Sequence, residues 1–195
     1  MIIEKIQKNK LYLSNEEIID ISPSIKQRYG LKVGDDIESL YDDISYEASL
    51  EKGIFLLSLK DRTKKEIQMK LNEKYRNEKM VDKAVLKLIE LGYIDDLNYA
   101  ISYINSRKHG KQRITYNLLQ KGLNKEKIEE AYSTIQDETE KDIEEEKLKK
   151  VILKNIKKDE KKLVQYLVRQ GFELDNIFRK LREYKEFDGF EDFME

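Results

Sequence analysis

The chain has 195 residues, 39% of them charged, a net charge of −1, one proline, eight glycines and no cysteine. This composition favours helix over a sandwich or disorder, and it excludes a disulfide framework and a thiolate metal site. No stretch approaches the ~20 apolar residues that span a bilayer, and Glu4 and Lys5 interrupt the first isoleucines where a secretory signal would be uniformly apolar, so a cytoplasmic protein is expected.

Residues 1–45 carry short β-branched or aromatic runs, at Ile2, Ile3 and Ile6, at Leu11 to Leu13, and at Ile18, Ile19 and Ile21. The polar turns Lys8-Asn9-Lys10 and Ser14-Asn15 separate them, which predicts a small β element. Ser22-Pro23 then starts a short helix with Pro at its first position, closing at Tyr29-Gly30.

Beyond residue 45 the chain repeats itself. Residues 63 to 85 laid over 110 to 132, an offset of 47, pair Ile67 with Ile114, Leu71 with Leu118, Asn77 with Asn124, Val81 with Ile128 and Ala84 with Ala131. An offset of 49 then pairs Ile114 with Leu163, Leu118 with Leu167, Gly122 with Gly171 and Ile128 with Ile177. A period in this range signals stacked helical repeats, none able to bury its apolar face alone. The expected fold is mainly α: an elongated tandem array of three three-helix repeats, at 46–95, 96–136 and 137–195, behind the β-containing module at 1–45.

In the first unit, helix one is expected from Tyr46 to about Lys60, with Ala48, Phe55, Leu56 and Leu59 on its apolar side. Thr63-Lys64-Lys65-Glu66 has capping-box spacing and should start helix two, with Ile67 and Leu71 inward. Val81, Val85, Leu88 and Ile89 mark helix three, which Gly92 ends. Asp95 or Asp96 caps the next helix, whose apolar face is Tyr99, Ala100, Tyr103 and Ile104. Gly110 and Gly122 should break the second unit in left-handed conformations, Gly171 repeats the second break, and Tyr75 occupies that place in the first unit, so its turn must be built differently.

The small net charge hides segregation: residues 96–136 carry +3, residues 137–146 carry −6, residues 147–183 carry +7, and the tail from 184 carries −4. The loop Arg107-Lys108-His109-Gly110-Lys111-Gln112-Arg113 lets a backbone without Cβ come close to a surface while its cations reach phosphate or carboxylate, although a solvated face explains it as well. His109 reads as a solvated loop histidine, lacking a second His or a Cys for a metal site. Asp95 and Asp96 are adjacent, point apart and cap amides in preference to forming a catalytic pair. The glycines never fall in phosphate-loop spacing. Glu138 to Glu146 reads as the acidic first turns of a helix that ends in lysines, and the tyrosines as core in preference to stacking platforms. No catalytic residue, metal ligand or cofactor site can be named.

Leu91-Gly92-Tyr93-Ile94-Asp95-Asp96, Tyr99-Ala100 with Tyr103 and Arg107, then Gly110, Arg113-Ile114, Leu118 and Lys121-Gly122-Leu123 resemble the RecX family of bacterial recombination regulators. A weaker echo follows in Leu163, Leu167 and Arg169-Gln170-Gly171-Phe172, and Gly30 to Asp35 resembles the N-terminal module of longer members. Tyr75, where Gly would be usual, and Lys111, where Pro often follows the loop Gly, depart from the pattern and blur loop shape. The resemblance implies a non-enzymatic monomer that binds the RecA recombinase filament on single-stranded DNA and inhibits filament growth, strand exchange and coprotease activity. Beside it, the cations Arg107, Lys108, Lys111, Arg113, Lys121, Lys154, Lys158, Lys162 and Arg169 are the candidate contacts for that filament and its DNA. The rival reading is a HEAT-like scaffold binding only protein, which would have two helices per unit.

Overall fold

A β-hairpin extended by a third strand opens the chain. In the computed structural model, which describes residues 1–139 and 142–191 with side chains through Tyr184, β1 (Ile3–Gln7), β2 (Lys10–Leu13) and β3 (Ile18–Asp20) form an antiparallel sheet in that order. Ser22 caps α1 (Pro23–Arg28), its hydroxyl accepting from the Ile25 amide, and Gly30 closes it at φ +61°. Ile3, Leu11, Ile19 and Ile25 are buried in one core with Ile44, Ala48, Ile67, Leu71 and Leu88, so the N-terminal module and the first three helices exclude water together.

Those helices are α2 (Tyr41–Leu59), α3 (Lys64–Asn72) and α4 (Glu78–Glu90). Helix α2 begins at Tyr41, five residues before the sequence expectation, because Asp42 and Asp43 sit in its first turn and Ile44 is fully buried. Phe55 and Leu59, expected inward, are instead 52% and 65% exposed, while Gly53 packs against Leu88. Thr63 and Glu66 form the expected reciprocal capping box. Asn77 caps α4 through the Met80 amide at 3.3 Å, and Asp96 accepts from the Lys64 amide at 2.8 Å. The Tyr75 ring is buried, with its hydroxyl 3.1 Å from the carbonyl oxygens of both Asp20 and Ala48. A buried aromatic thus fills the place where the later units have a left-handed glycine.

By contact the chain divides into Met1–Asp96 and Leu97–Glu195. The second unit contains α5 (Asp96–Ser106, its first residue belonging to the first unit), α6 (Lys111–Gln120), α7 (Lys125–Thr139), α8 (Ile143–Asn155), α9 (Glu160–Arg169) and α10 (Leu174–Glu191). Counted from α2, the described residues form nine helices, the number expected of three three-helix units and not of two-helix HEAT-like ones. The inward residues Ile114, Leu118, Leu163 and Leu167 are buried, as are Ile67 and Leu71. Gly92, Gly122 and Gly171 have φ of +76°, +91° and +88°, the left-handed closure expected of them. Gly110 does not: with φ −71° and ψ 165° it is the extended N-cap of α6. The acidic run is also divided, since Glu138 lies at the end of α7 while Asp142 caps α8 and only Glu144, Glu145 and Glu146 occupy that helix's first turn. Glu140, Lys141 and the tail beyond Glu191 lie outside the described residues.

Candidate nucleic-acid interface

The basic loop between α5 and α6 is held from two sides within the second unit. On one side, the first turns of α8 bind both of its ends. The Lys147 ammonium donates to the Ile104 carbonyl at the close of α5, and Glu144 Oε1 accepts from the Lys111 amide at 3.0 Å at the start of α6. Carbonyls at a helix end attract cations and amides at a helix start attract anions, so a basic and an acidic residue three positions apart on one helix satisfy both. Burial pushes the Glu144 carboxyl up, opposed by the Lys111 amide, and burial pushes Lys147 down to about 8.

On the other side the loop lies against the α9–α10 turn. The Gly110 amide donates to the Gln170 carbonyl at 2.9 Å, the Gln112 amide to the Gly171 carbonyl at 3.3 Å, and the Arg113 guanidinium to the Arg169 carbonyl at 3.1 Å. A Cβ on Gly110 would lie 2.2 Å from the Gly171 oxygen, and one on Gly171 would lie 2.6 Å from the Arg113 amide nitrogen. Close approach of two backbones, not a left-handed dihedral, is therefore why position 110 is glycine. His109 is half-buried, its Nδ1 2.7 Å from Gln170 Oε1. It bridges the two loops, so the solvated-loop expectation is corrected.

The candidate cations divide by their surroundings. Arg107 lies over the Tyr103 ring at 4.9 Å, Tyr103 stacks on Tyr99 at 6.3 Å, and Lys121 lies over Tyr99 at 5.6 Å. This joins Arg107 and Lys121 along α5 by a strip of half-buried tyrosines that charge counting alone did not place. Lys108 is exposed in the loop. Lys111, by contrast, pairs with Glu129 at 2.8 Å and covers the Tyr132 ring, while Arg113 stays exposed and donates to the Arg169 carbonyl. Arg113 and Arg169 are brought together. Lys154, Lys158 and Lys162 are exposed around the α8–α9 connection, with Lys158 over the Tyr166 ring at 4.4 Å. Arg179 and Lys180 both meet Glu145, so part of the +7 charge is matched internally.

Among the described residues no three His, Cys, Asp or Glu side chains are placed to hold a metal, and no helix is long and apolar enough to cross a membrane. Fold and site together define a tandem three-helix-repeat protein with one basic loop, α5–α6, fixed against the α9–α10 turn. Residues 95–131 match the family model described as RecX, second three-helix domain. Regulatory protein RecX of Clostridium acetobutylicum is 30% identical over 197 residues, covering 92% of this chain and 91% of that one; its counterpart from Clostridium beijerinckii is 30% identical over 87% of each. The crystal structure of a regulatory protein RecX shares a TM-score of 0.59 and 25% identity across 90% of this chain and 94% of that one. RecX from Lactobacillus salivarius gives 0.59 and 27% across 71% and 96%. The chain belongs to the RecX family of regulatory proteins.

Proposed function

We propose that the chain is a non-enzymatic regulator of the RecA recombinase. It binds the filament on single-stranded DNA and restrains filament growth, strand exchange and coprotease activity in recombination, DNA repair and the SOS response, acting as a cytoplasmic monomer. The reading is carried by the junction of the α5–α6 loop with the α9–α10 turn, around which Arg107, Lys108, Arg113 and Arg169 lie. Cations fixed on a rigid support suit phosphate or an acidic protein face, since little side-chain freedom is left to lose on binding. The division into a module at 1–45 and units at 46–95, 96–136 and 137–195 belongs to the same proposal, as do contacts from Lys111, Lys121, Lys154, Lys158 and Lys162.

The test is a RecA strand-exchange and filament-ATPase assay with increasing amounts of this protein. Inhibition at ratios sufficient to cap or coat filaments is expected. Unchanged rates, or inhibition at ratios far too low to cap or coat, would overturn the reading.

A further inference from the structure

A groove of about 730 Å³ lies in the first unit between the N-terminal sheet and α2, within the roughly 300–1,000 Å³ range of small-ligand sites. Ile21, Ala48 and the buried Tyr75 ring give it apolar walls, and the Tyr75 hydroxyl is consumed by the Asp20 and Ala48 carbonyls, so that part of the lining is fixed. Phe55, which the core does not use, stands in the lining more than half exposed, with the Lys52 ammonium 5.2 Å from its ring centre. Tyr12 also lines the groove, under Lys5 at 5.3 Å.

The polar groups are of two kinds. Lys8 and Lys10 are exposed at the β1–β2 hairpin, where Lys8 takes φ +53°, and no ion pair joins Lys8, Lys10 or Lys52 to a carboxylate among the described residues. Asp20 and Glu51 are half-buried in the same lining, Asp20 opposite Lys10 in the strand register and Glu51 accepting from the Ser24 hydroxyl at 3.1 Å. A suitable occupant thus needs a flat apolar face for Phe55, hydrogen-bond donors for half-buried carboxylates, and negative charge for the exposed lysines. Inorganic phosphate lacks the first. A purely acidic peptide such as polyglutamate supplies charge but no ring bearing donors, and an apolar peptide leaves the lysines unanswered.

We infer that this groove binds a nucleotide, its base stacked on Phe55 with amino or imino groups toward Asp20 and Glu51, and its phosphate met by Lys8, Lys10 and Lys52. The same chemistry is offered by a free mononucleotide and by one residue of a single strand. Its lining comes entirely from the first unit.

The chain has no tryptophan, so Phe55→Trp places a single emitting indole in the groove while keeping a stacking surface. Its fluorescence would be titrated with AMP, with a short deoxyadenylate strand and with polyglutamate, and ring-proton shifts of Phe55 and Tyr12 followed in the unsubstituted chain. Saturable quenching with matching shifts is expected from an adenine ligand. A response to AMP identifies a free-nucleotide site, and a response to the strand alone identifies a strand contact. Added to Phe55→Trp, the pair Lys8→Glu and Lys10→Glu should weaken the response and, with the deoxyadenylate strand, lower its log–log salt slope by about 0.7 for each phosphate no longer neutralised. Phe55→Ala should weaken binding in the groove about 5- to 150-fold, the range for one stacked base, with an unchanged melting temperature. No emission or shift change with either adenine ligand overturns the inference, as does an equal response to polyglutamate. Because the readout is local, it stands or fails separately from inhibition of the recombinase.

Discussion

Gly110 and Gly171 let two backbones meet: a side chain at 110 would strike the Gly171 carbonyl, and one at 171 would strike Arg113. In Gly110→Ala the new methyl would meet the Gly171 carbonyl, a backbone atom that can retreat only by moving the α9–α10 turn. Overpacking of this kind costs about 1–3 kcal/mol, and urea unfolding should register it. A loss within error would show that the two loops are not held together in solution. Leu118, fully buried, gives a core comparison: Leu118→Ala should cost about 2–5 kcal/mol.

Lys147 carries a pH signature. Its pKa falls from the ordinary 10.5 to about 8 because burial penalises the ammonium. In the interval between those values the unfolded chain holds a proton that the folded chain has released, so stability contributed by this group rises with pH from about 8 and levels off near 10.5. Tyrosines titrate in the same interval with the opposite sign, because burial raises Tyr75 and Tyr132. The measurement is therefore a difference: wild-type stability minus that of Lys147→Met should increase between about pH 8 and 10. A flat difference would show that the lysine is more hydrated than its contact with Ile104 indicates.

Helix α8 explains the acidic run better than the macrodipole alone. Glu144 and Lys147 hold the end of α5 and the start of α6, so the segment's composition serves a neighbouring connection as well as its own helix. In Glu144→Gln the amide oxygen can still accept from the Lys111 amide, and stability should change little. Glu144→Ala removes the cap and should cost about 0.5–2 kcal/mol, seen as a lower urea midpoint. Equal loss in both variants would mean that the charge, not the acceptor, matters. The helices are legible in the sequence because apolar residues recur at helical spacing and the caps Thr63, Asn77 and Asn124 are local signals. Periodicity misplaces the exposed Phe55 and Leu59 because α2 carries apolar residues around much of its circumference, and spacing alone does not say which side a neighbour will cover. The role of Gly110 is hidden for another reason: its partner lies 61 residues away, and no local pattern reports a long-range backbone contact. The partners of Lys111 and His109, on α7 and at Gln170, are invisible on the same ground.

At the scale of the molecule, charge segregation locates cations but not the ones that remain available. Reversing Lys111 would set an acid beside Glu129 and disturb the α6 start, mixing folding with binding. Arg107, Lys108, Lys154, Lys158 and Lys162 are exposed and form no ion pair among the described residues, so they separate the two effects. If they contact the strand in the recombinase filament, affinity should fall with salt at about 0.7 log units per phosphate neutralised. Reversing Arg107 and Lys108 together should then lower the slope by up to about 1.4 on the same rule, and reversing Lys154, Lys158 and Lys162 by up to about 2.1. Melting temperatures should barely move, since exposed substitutions of this kind usually change stability by no more than about 0.5 kcal/mol. Binding of labelled filaments across a salt series would measure both slopes. A drop confined to the loop pair would assign the strand to the α5–α6 side, and one confined to the lysine set would assign it to the α8–α9 connection. Slopes equal to wild type in both variants would place the filament contact on a surface that neither set of cations reaches.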